Sequence, residues 1–195
     1  MGFSFVDVGT RLVPRSVSGH TVMVASDQEQ HDREPGRDVA RRVKVVTVSD
    51  GVVAGTRQDS SGGALVEVLS GAGWEVVDHR CIADGIESVR DTLIELCDGF
   101  SGLVVTTGGT GFGPRDLTPE GTAAALDRHA PGMAEAMRTV NPDGLGRLSR
   151  ALAGTRGQAL ILNTPGSTRG AIETLEAVLD VCPHAVELLA GGRPH

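Results

Sequence analysis

Aromatic residues are almost missing from this chain, with one Trp, four Phe and no Tyr among 195 residues. Binding single-stranded nucleic acid by base stacking takes a row of aromatic platforms, so no nucleic-acid partner is expected. Net positive charge is missing too. Eighteen Lys and Arg against 25 Asp and Glu leave a formal charge of −7. An anionic ligand would therefore need local help from backbone N–H groups, a few Arg or a metal ion. No apolar run approaches the ~20 residues that cross a bilayer, so no membrane partner is expected. No charged segment followed by an apolar one marks a signal peptide. Cysteine is scarce, odd in number and widely spaced, at Cys81, Cys97 and Cys182. That suits neither a disulfide framework nor a zinc pattern, and it reads as small buried apolar residues in a reducing, cytoplasmic compartment. The six His (residues 20, 31, 79, 129, 184 and 195) show no pairing at ligand spacing. They read as structural or surface residues.

What is present falls into two parts. Residues 1–42 have scattered Val and Phe without period, then a polar stretch of mixed charge. They are expected to form a disordered N-terminal extension. Residues 43–195 carry the periodic pattern of one domain.

Val43 to Ser49 reads as a strand. Leu65, Val68, Leu69 and Ala72 recur at helical spacing, and Trp74 to Ile82 is a second strand. Asp84 opens a helix whose apolar stripe is Ile86, Val89, Leu93, Leu96 and Cys97. Leu103 to Val105 is a short apolar run bounded by glycines, the mark of a strand covered on both faces. This β-α-β-α-β order predicts parallel strands with right-handed helical crossovers. Thr118 is suited to an N-cap with Pro119 at the first helical position, and further helices are expected over 119–127 and 131–140. Leu148 to Ala153 and Gln158 to Asn163 read as extended, with residues 154–157 as the hairpin turn between them. Helices over 171–179 and 183–189 complete the chain. The fold class is α/β: three layers, α/β/α, with a mostly parallel sheet and an antiparallel hairpin at one edge.

Four loops leave the carboxyl ends of expected strands: Ser49-Asp50-Gly51, Asp84-Gly85, Gly108 to Asp116, and Thr164 to Thr168. In a parallel sheet those ends share one edge, where open α/β sheets bind ligands. Asp50, Asp84 and Asp116 would gather there beside two glycine-bearing loops. Such loops suit phosphate, and carboxylates beside phosphate suit Mg²⁺. Each residue also has a plainer role. Asp84, with Glu87 three residues on, equally suits an N-cap; Asp116 suits a pair with Arg115; Asp50 suits a turn. Arg150 and Arg169 suit solvated charges or phosphate contacts alike. Thr-Gly-Gly-Thr-Gly alone is neither a P-loop nor a dinucleotide fingerprint.

Taken together, the motifs are more specific. Thr106-Thr107-Gly108-Gly109-Thr110-Gly111 followed by Pro114-Arg115-Asp116-Leu117-Thr118-Pro119-Glu120 closely resembles the signature of the molybdenum-cofactor biosynthesis family that includes MoaB and Mog. Val48-Ser49-Asp50, Asp59-Ser60-Ser61-Gly62, Ala83-Asp84, Pro131-Gly132, Ser149-Arg150 and Asn163-Thr164-Pro165-Gly166-Ser167 follow in the family's order. The resemblance covers about residues 43–191. It implies a homotrimer that binds the pterin molybdopterin. Mog-type members adenylylate it with Mg-ATP, releasing pyrophosphate, and the product goes on to a molybdate-insertion enzyme. Some MoaB-type members bind the pterin without that transfer. On this resemblance Asp84 and Asp116 are the catalytic residues and the Mg²⁺ ligands. The substrate-binding set is Ser49, Asp50, Thr107, Gly108, Gly109, Thr110, Gly111, Ser149, Arg150, Asn163, Pro165, Gly166 and Ser167. Thr164 departs from the pattern, since an apolar residue usually precedes Pro-Gly.

Overall fold

A computed structural model describes residues 41–141 and 144–192. The extension expected over 1–42 therefore lies outside the described residues, except for Arg41 and Arg42. So does the middle of the turn at 142–143.

One sheet of six strands runs in the order β2-β1-β3-β6-β5-β4. These are β1 (Arg42–Val48), β2 (Glu75–Ile82), β3 (Gly102–Thr107), β4 (Arg128–His129), β5 (Ala153–Arg156) and β6 (Ala159–Thr164). β2, β1, β3 and β6 are mutually parallel, while β5 and β4 add antiparallel strands at one edge. Every residue of β3 and of β6 is buried, as suits central strands with helices on both faces.

Alternation along the strands sorts the core into two layers. Val43, Val45, Leu103, Val105, Leu160 and Leu162 pack beneath α2 (Ser60–Gly71), α5 (Pro131–Thr139), α6 (Thr168–Leu179) and α7 (Cys182–Leu189). Val46, Val48, Val104 and Ile161 pack beneath α3 (Ile86–Cys97) and α4 (Thr118–Ala125). Leu65 and Leu69, one helical turn apart on α2, are fully buried. Each contributes about 1.5–3 kcal/mol of burial. Cys97 and Cys182 also belong to these cores, where burial pushes their thiols up to about 11 and about 12. Cys81 departs from the buried reading: it is exposed on the edge strand β2.

Three local expectations are corrected. A short helix α1 (Asp50–Val53), capped by the Ser49 hydroxyl, follows β1 directly. The hairpin turn lies at Gly157-Gln158, and Gly154, Thr155 and Arg156 belong to β5. Residues 149–152 stay out of the sheet because their backbone is used elsewhere. Arg150 N–H donates to the Thr110 carbonyl at 2.9 Å, and Leu152 N–H donates to the Asn163 side chain at 3.1 Å. Finally, Thr118 is the first residue of α4 and Leu117 its N-cap. The Thr118 hydroxyl instead donates to the Gly108 carbonyl at 2.9 Å.

Candidate active site

Because β2, β1, β3 and β6 run parallel, their carboxyl ends open on one edge, and a cleft of about 1000 Å³ lies there. The structure brings Ser49, Asp84, Thr107, Gly108, Gly109, Thr110, Gly111, Asp116, Ser149, Pro165, Gly166 and Ser167 to its lining. Three predicted site residues, Asp50, Arg150 and Asn163, lie outside that lining and hold it from behind.

The glycine loop is held by close approach. Gly108 has φ +101°, and a Cβ there would stand 2.3 Å from the Val48 carbonyl oxygen. Gly109 has φ +63°, and a Cβ there would stand 2.4 Å from the Thr118 hydroxyl and 3.2 Å from Asp84 Oδ1. Both positions need glycine on conformation and on space. Gly108 N–H donates to the Thr164 carbonyl. The N–H groups of Gly109, Thr110 and Gly111 meet no acceptor among the described residues. Unpaired N–H groups in a glycine loop are an arrangement that suits phosphate oxygens. The Thr164 hydroxyl donates to the Thr106 carbonyl at 2.9 Å, so the polar residue before Pro-Gly is satisfied within the sheet.

Asp50 and Asp84 clasp two strand ends together. Asp50 N–H donates to Asp84 Oδ2 at 2.8 Å, and Asp84 N–H donates to Asp50 Oδ1 at 3.0 Å. Arg115 grips the Asp50 carboxylate through Nε at 3.0 Å and Nη2 at 2.9 Å, and Nη2 also reaches the Asp84 carbonyl at 2.6 Å. The capping role open to Asp84 is not taken, since Gly85 is the N-cap of α3 and offers no side chain. Arg115 pairs with Asp50, not with its neighbour Asp116.

Asp116 turns one oxygen back on its own loop, accepting the Gly113 N–H at 2.7 Å. Asp84 Oδ1 and Asp116 Oδ1 receive no hydrogen bond from the described residues. Two such oxygens beside free N–H groups fit a hard cation with oxygen ligands.

Arg150 is a clamp. Its backbone N–H holds Thr110, and its Nε donates to the Gly111 carbonyl at 2.7 Å. Its remaining nitrogens reach the Asp116 carbonyl and the Glu120 carboxylate. The guanidinium lies 5.6 Å from the centre of the Phe112 ring. Hydrogen bonding from Arg150 holds the Glu120 carboxyl below its ordinary value. Asn163 is fully buried. Its amide donates to the Thr106 and Thr122 hydroxyls and its oxygen accepts from Leu152, so it ties β6 to α4 and to the Arg150 segment. Ser49 and Ser167 cap α1 and α6, and the Ser149 hydroxyl accepts from Ala151 N–H.

Other parts of the lining stand outside the site set expected from the sequence. Arg57, Asp59, Phe112 and Leu145 line the cleft, and Phe112 and Leu145 are 72% and 80% exposed. Arg169 lines it too, with its Nε on Glu173 at 2.6 Å. Of these, Arg169 already suits a phosphate contact in the sequence, Asp59 lies in the Asp59-Ser60-Ser61-Gly62 motif and Phe112 lies within the glycine loop, while Arg57 and Leu145 carry no such signal.

A family model described as "Probable molybdopterin binding domain" matches residues 44–184. The chain belongs to the MoaB/Mog molybdenum-cofactor biosynthesis family. Within that family it is 38% identical to the molybdopterin adenylyltransferase of Helicobacter pylori strain J99, over 76% of this chain and 88% of that protein. It is 39% identical to the molybdopterin adenylyltransferase of Escherichia coli K12, over 77% of this chain and 86% of that one. The crystal structure of the molybdopterin biosynthesis enzyme MoaB from Thermus thermophilus superposes with a TM-score of 0.73 at 46% identity, over 78% of this chain and 98% of that one. The three-layer fold of the family is the fold described here.

Proposed function

We propose that this chain is a molybdopterin adenylyltransferase, a nucleotidyltransferase that moves AMP from Mg-ATP to the molybdopterin phosphate and releases pyrophosphate. The observation that carries the reading is the meeting of Asp84 and Asp116, from two strand ends, with the free N–H groups of Gly109, Thr110 and Gly111 in one cleft. A pterin phosphate oxygen attacks the α-phosphorus of ATP, and the bond to the pyrophosphate oxygen breaks. No nucleophile from the protein is needed where both reactants are phosphates held in line. The loop N–H groups bind phosphate oxygens as charge develops on them. Arg57 and Arg169 are the cationic side chains of the lining and suit the polyphosphate. The exposed faces of Phe112 and Leu145 suit a flat heterocycle. Asp84 Oδ1 and Asp116 Oδ1 would hold Mg²⁺, which neutralises phosphate charge when bound. Arg115, Asp50, Arg150 and Asn163 keep these groups in place.

The chain is proposed to work in the cytoplasm as a homotrimer, and to pass its product to a molybdate-inserting enzyme. A second reading, carried by the resemblance to MoaB-type members, is pterin binding without transfer. Incubation with molybdopterin, ATP and Mg²⁺ separates the two. Adenylylated pterin, detected by mass, supports the transferase; bound pterin without product supports the second reading.

A further inference from the structure

Where Asp59 and Thr47 line the cleft, three side chains of different chemistry converge on one carboxylate oxygen of Asp59. Asp59 caps α2: its Oδ1 accepts the Gly62 N–H at 2.9 Å. That leaves Oδ2 facing the edge strand. His79 and Cys81 stand two apart on β2, so their side chains share one face of the sheet. Parallel pairing sets Cys81 opposite Thr47 of β1. As a result Asp59 Oδ2 meets His79 Nε2 at 2.9 Å, Cys81 Sγ at 3.5 Å and the Thr47 hydroxyl at 2.8 Å. The oxygen, nitrogen and sulfur atoms lie within 4.8 Å of one another. Gly62 keeps the spot open, since a Cβ there would stand 2.4 Å from Asp59 Oδ2 and 2.6 Å from His79 Nε2.

We propose that Asp59, His79 and Cys81 form a binding site for a borderline-soft divalent cation of the zinc class. One carboxylate, one imidazole and one thiolate are the donors zinc takes, at spacings a tetrahedral ion spans with small side-chain shifts. Hard Mg²⁺ is selected against by the sulfur and nitrogen. The three protein ligands leave a fourth position for water. Thr47 steadies the carboxylate from behind, as supporting residues of metal sites do. His79 and Cys81 are exposed, which gives the ion a path in.

The test is a titration of chelator-treated full-length protein with Co²⁺, followed by displacement with Zn²⁺. The expected result is one equivalent bound with a thiolate-to-cobalt charge-transfer band, bleached by Zn²⁺. Cys81→Ser should abolish the band, and His79→Gln should weaken binding by at least about tenfold. Asp84→Asn should leave the band intact, which separates this site from the proposed Mg²⁺ carboxylates. The absence of a band in the wild-type protein, a band that survives Cys81→Ser, or unchanged affinity in His79→Gln would each overturn the assignment. Since the first outcome needs no variant, a misfolded mutant cannot obscure the answer.

Discussion

Arg150→Ala tests whether the glycine loop is held in place by a single side chain. The guanidinium donates to the carbonyls of Gly111 and Asp116 and pairs with Glu120. Each carbonyl bond contributes about 1 kcal/mol net. The ion pair is partly exposed, at 29% and 39% for the two side chains, so screening holds it to about 0.5 kcal/mol. The sum is about 2–3 kcal/mol. For a domain of this size that lowers Tm by roughly 5–10 °C. Glu120→Gln removes only the charge of the pair and should lower Tm by about 1–2 °C. The catalytic effect is larger in proportion, because the released loop carries both the free N–H groups and Asp116. A misplacement near 1 Å costs about 100-fold in rate. Calorimetric melting with initial rates of pyrophosphate release measures both. An Arg150→Ala protein with wild-type Tm and rate would refute the clamp. So would equal losses in Arg150→Ala and Glu120→Gln, because the carbonyl bonds would then contribute nothing.

Two further outcomes follow from the same geometry. Arg115→Ala releases Asp50 and the Asp84 carbonyl but leaves both cores untouched; the lost carbonyl bond and exposed ion pair should lower Tm by roughly 3–6 °C, the rate should fall at least about tenfold, and a wild-type rate would remove Arg115 from the site. The Glu120 carboxyl is held below its ordinary 4.5 by the hydrogen bond from Arg150. Its contribution to stability is thus present above that value and lost as pH falls through the lowered one; Arg150→Ala should flatten this part of an acid melting series, and an identical acid profile would contradict the pairing.

The fold was largely legible in the sequence because its main elements declare themselves locally. The Leu103 to Val105 run bounded by glycines reads as a strand covered on both faces, and the α3 stripe of Val89, Leu93 and Leu96 has a clear helical period. The strand ends then converge by topology alone, which is why Asp84, Asp116 and the glycines could be placed at one edge. What escaped was where long side chains and short segments go. Arg115 reaches Asp50, 65 positions away, and Arg150 reaches Glu120; no local pattern encodes such partners. Residues 148–152 look extended in sequence, yet Leu148 ends a 3-10 turn, and the backbone of Arg150 and Leu152 answers to Thr110 and Asn163. The two-residue β4 and the four-residue α1 are too short to show a period. Asn163 read as a ligand contact because it sits in a motif, but burial makes it a brace. The Asp59, His79 and Cys81 cluster joins a helix cap to an edge strand 20 residues on, so linear spacing hid it.

The most direct measurement compares wild type, Asp84→Asn and Asp116→Asn in the conversion of molybdopterin and ATP to adenylylated pterin, read by product mass and pyrophosphate release. Each substitution keeps the side chain's shape and removes the charge. The expected result is product in the wild type and a nearly abolished rate in both variants, with melting temperatures preserved. An unchanged rate in either variant would contradict the assignment of the reaction to these two carboxylates.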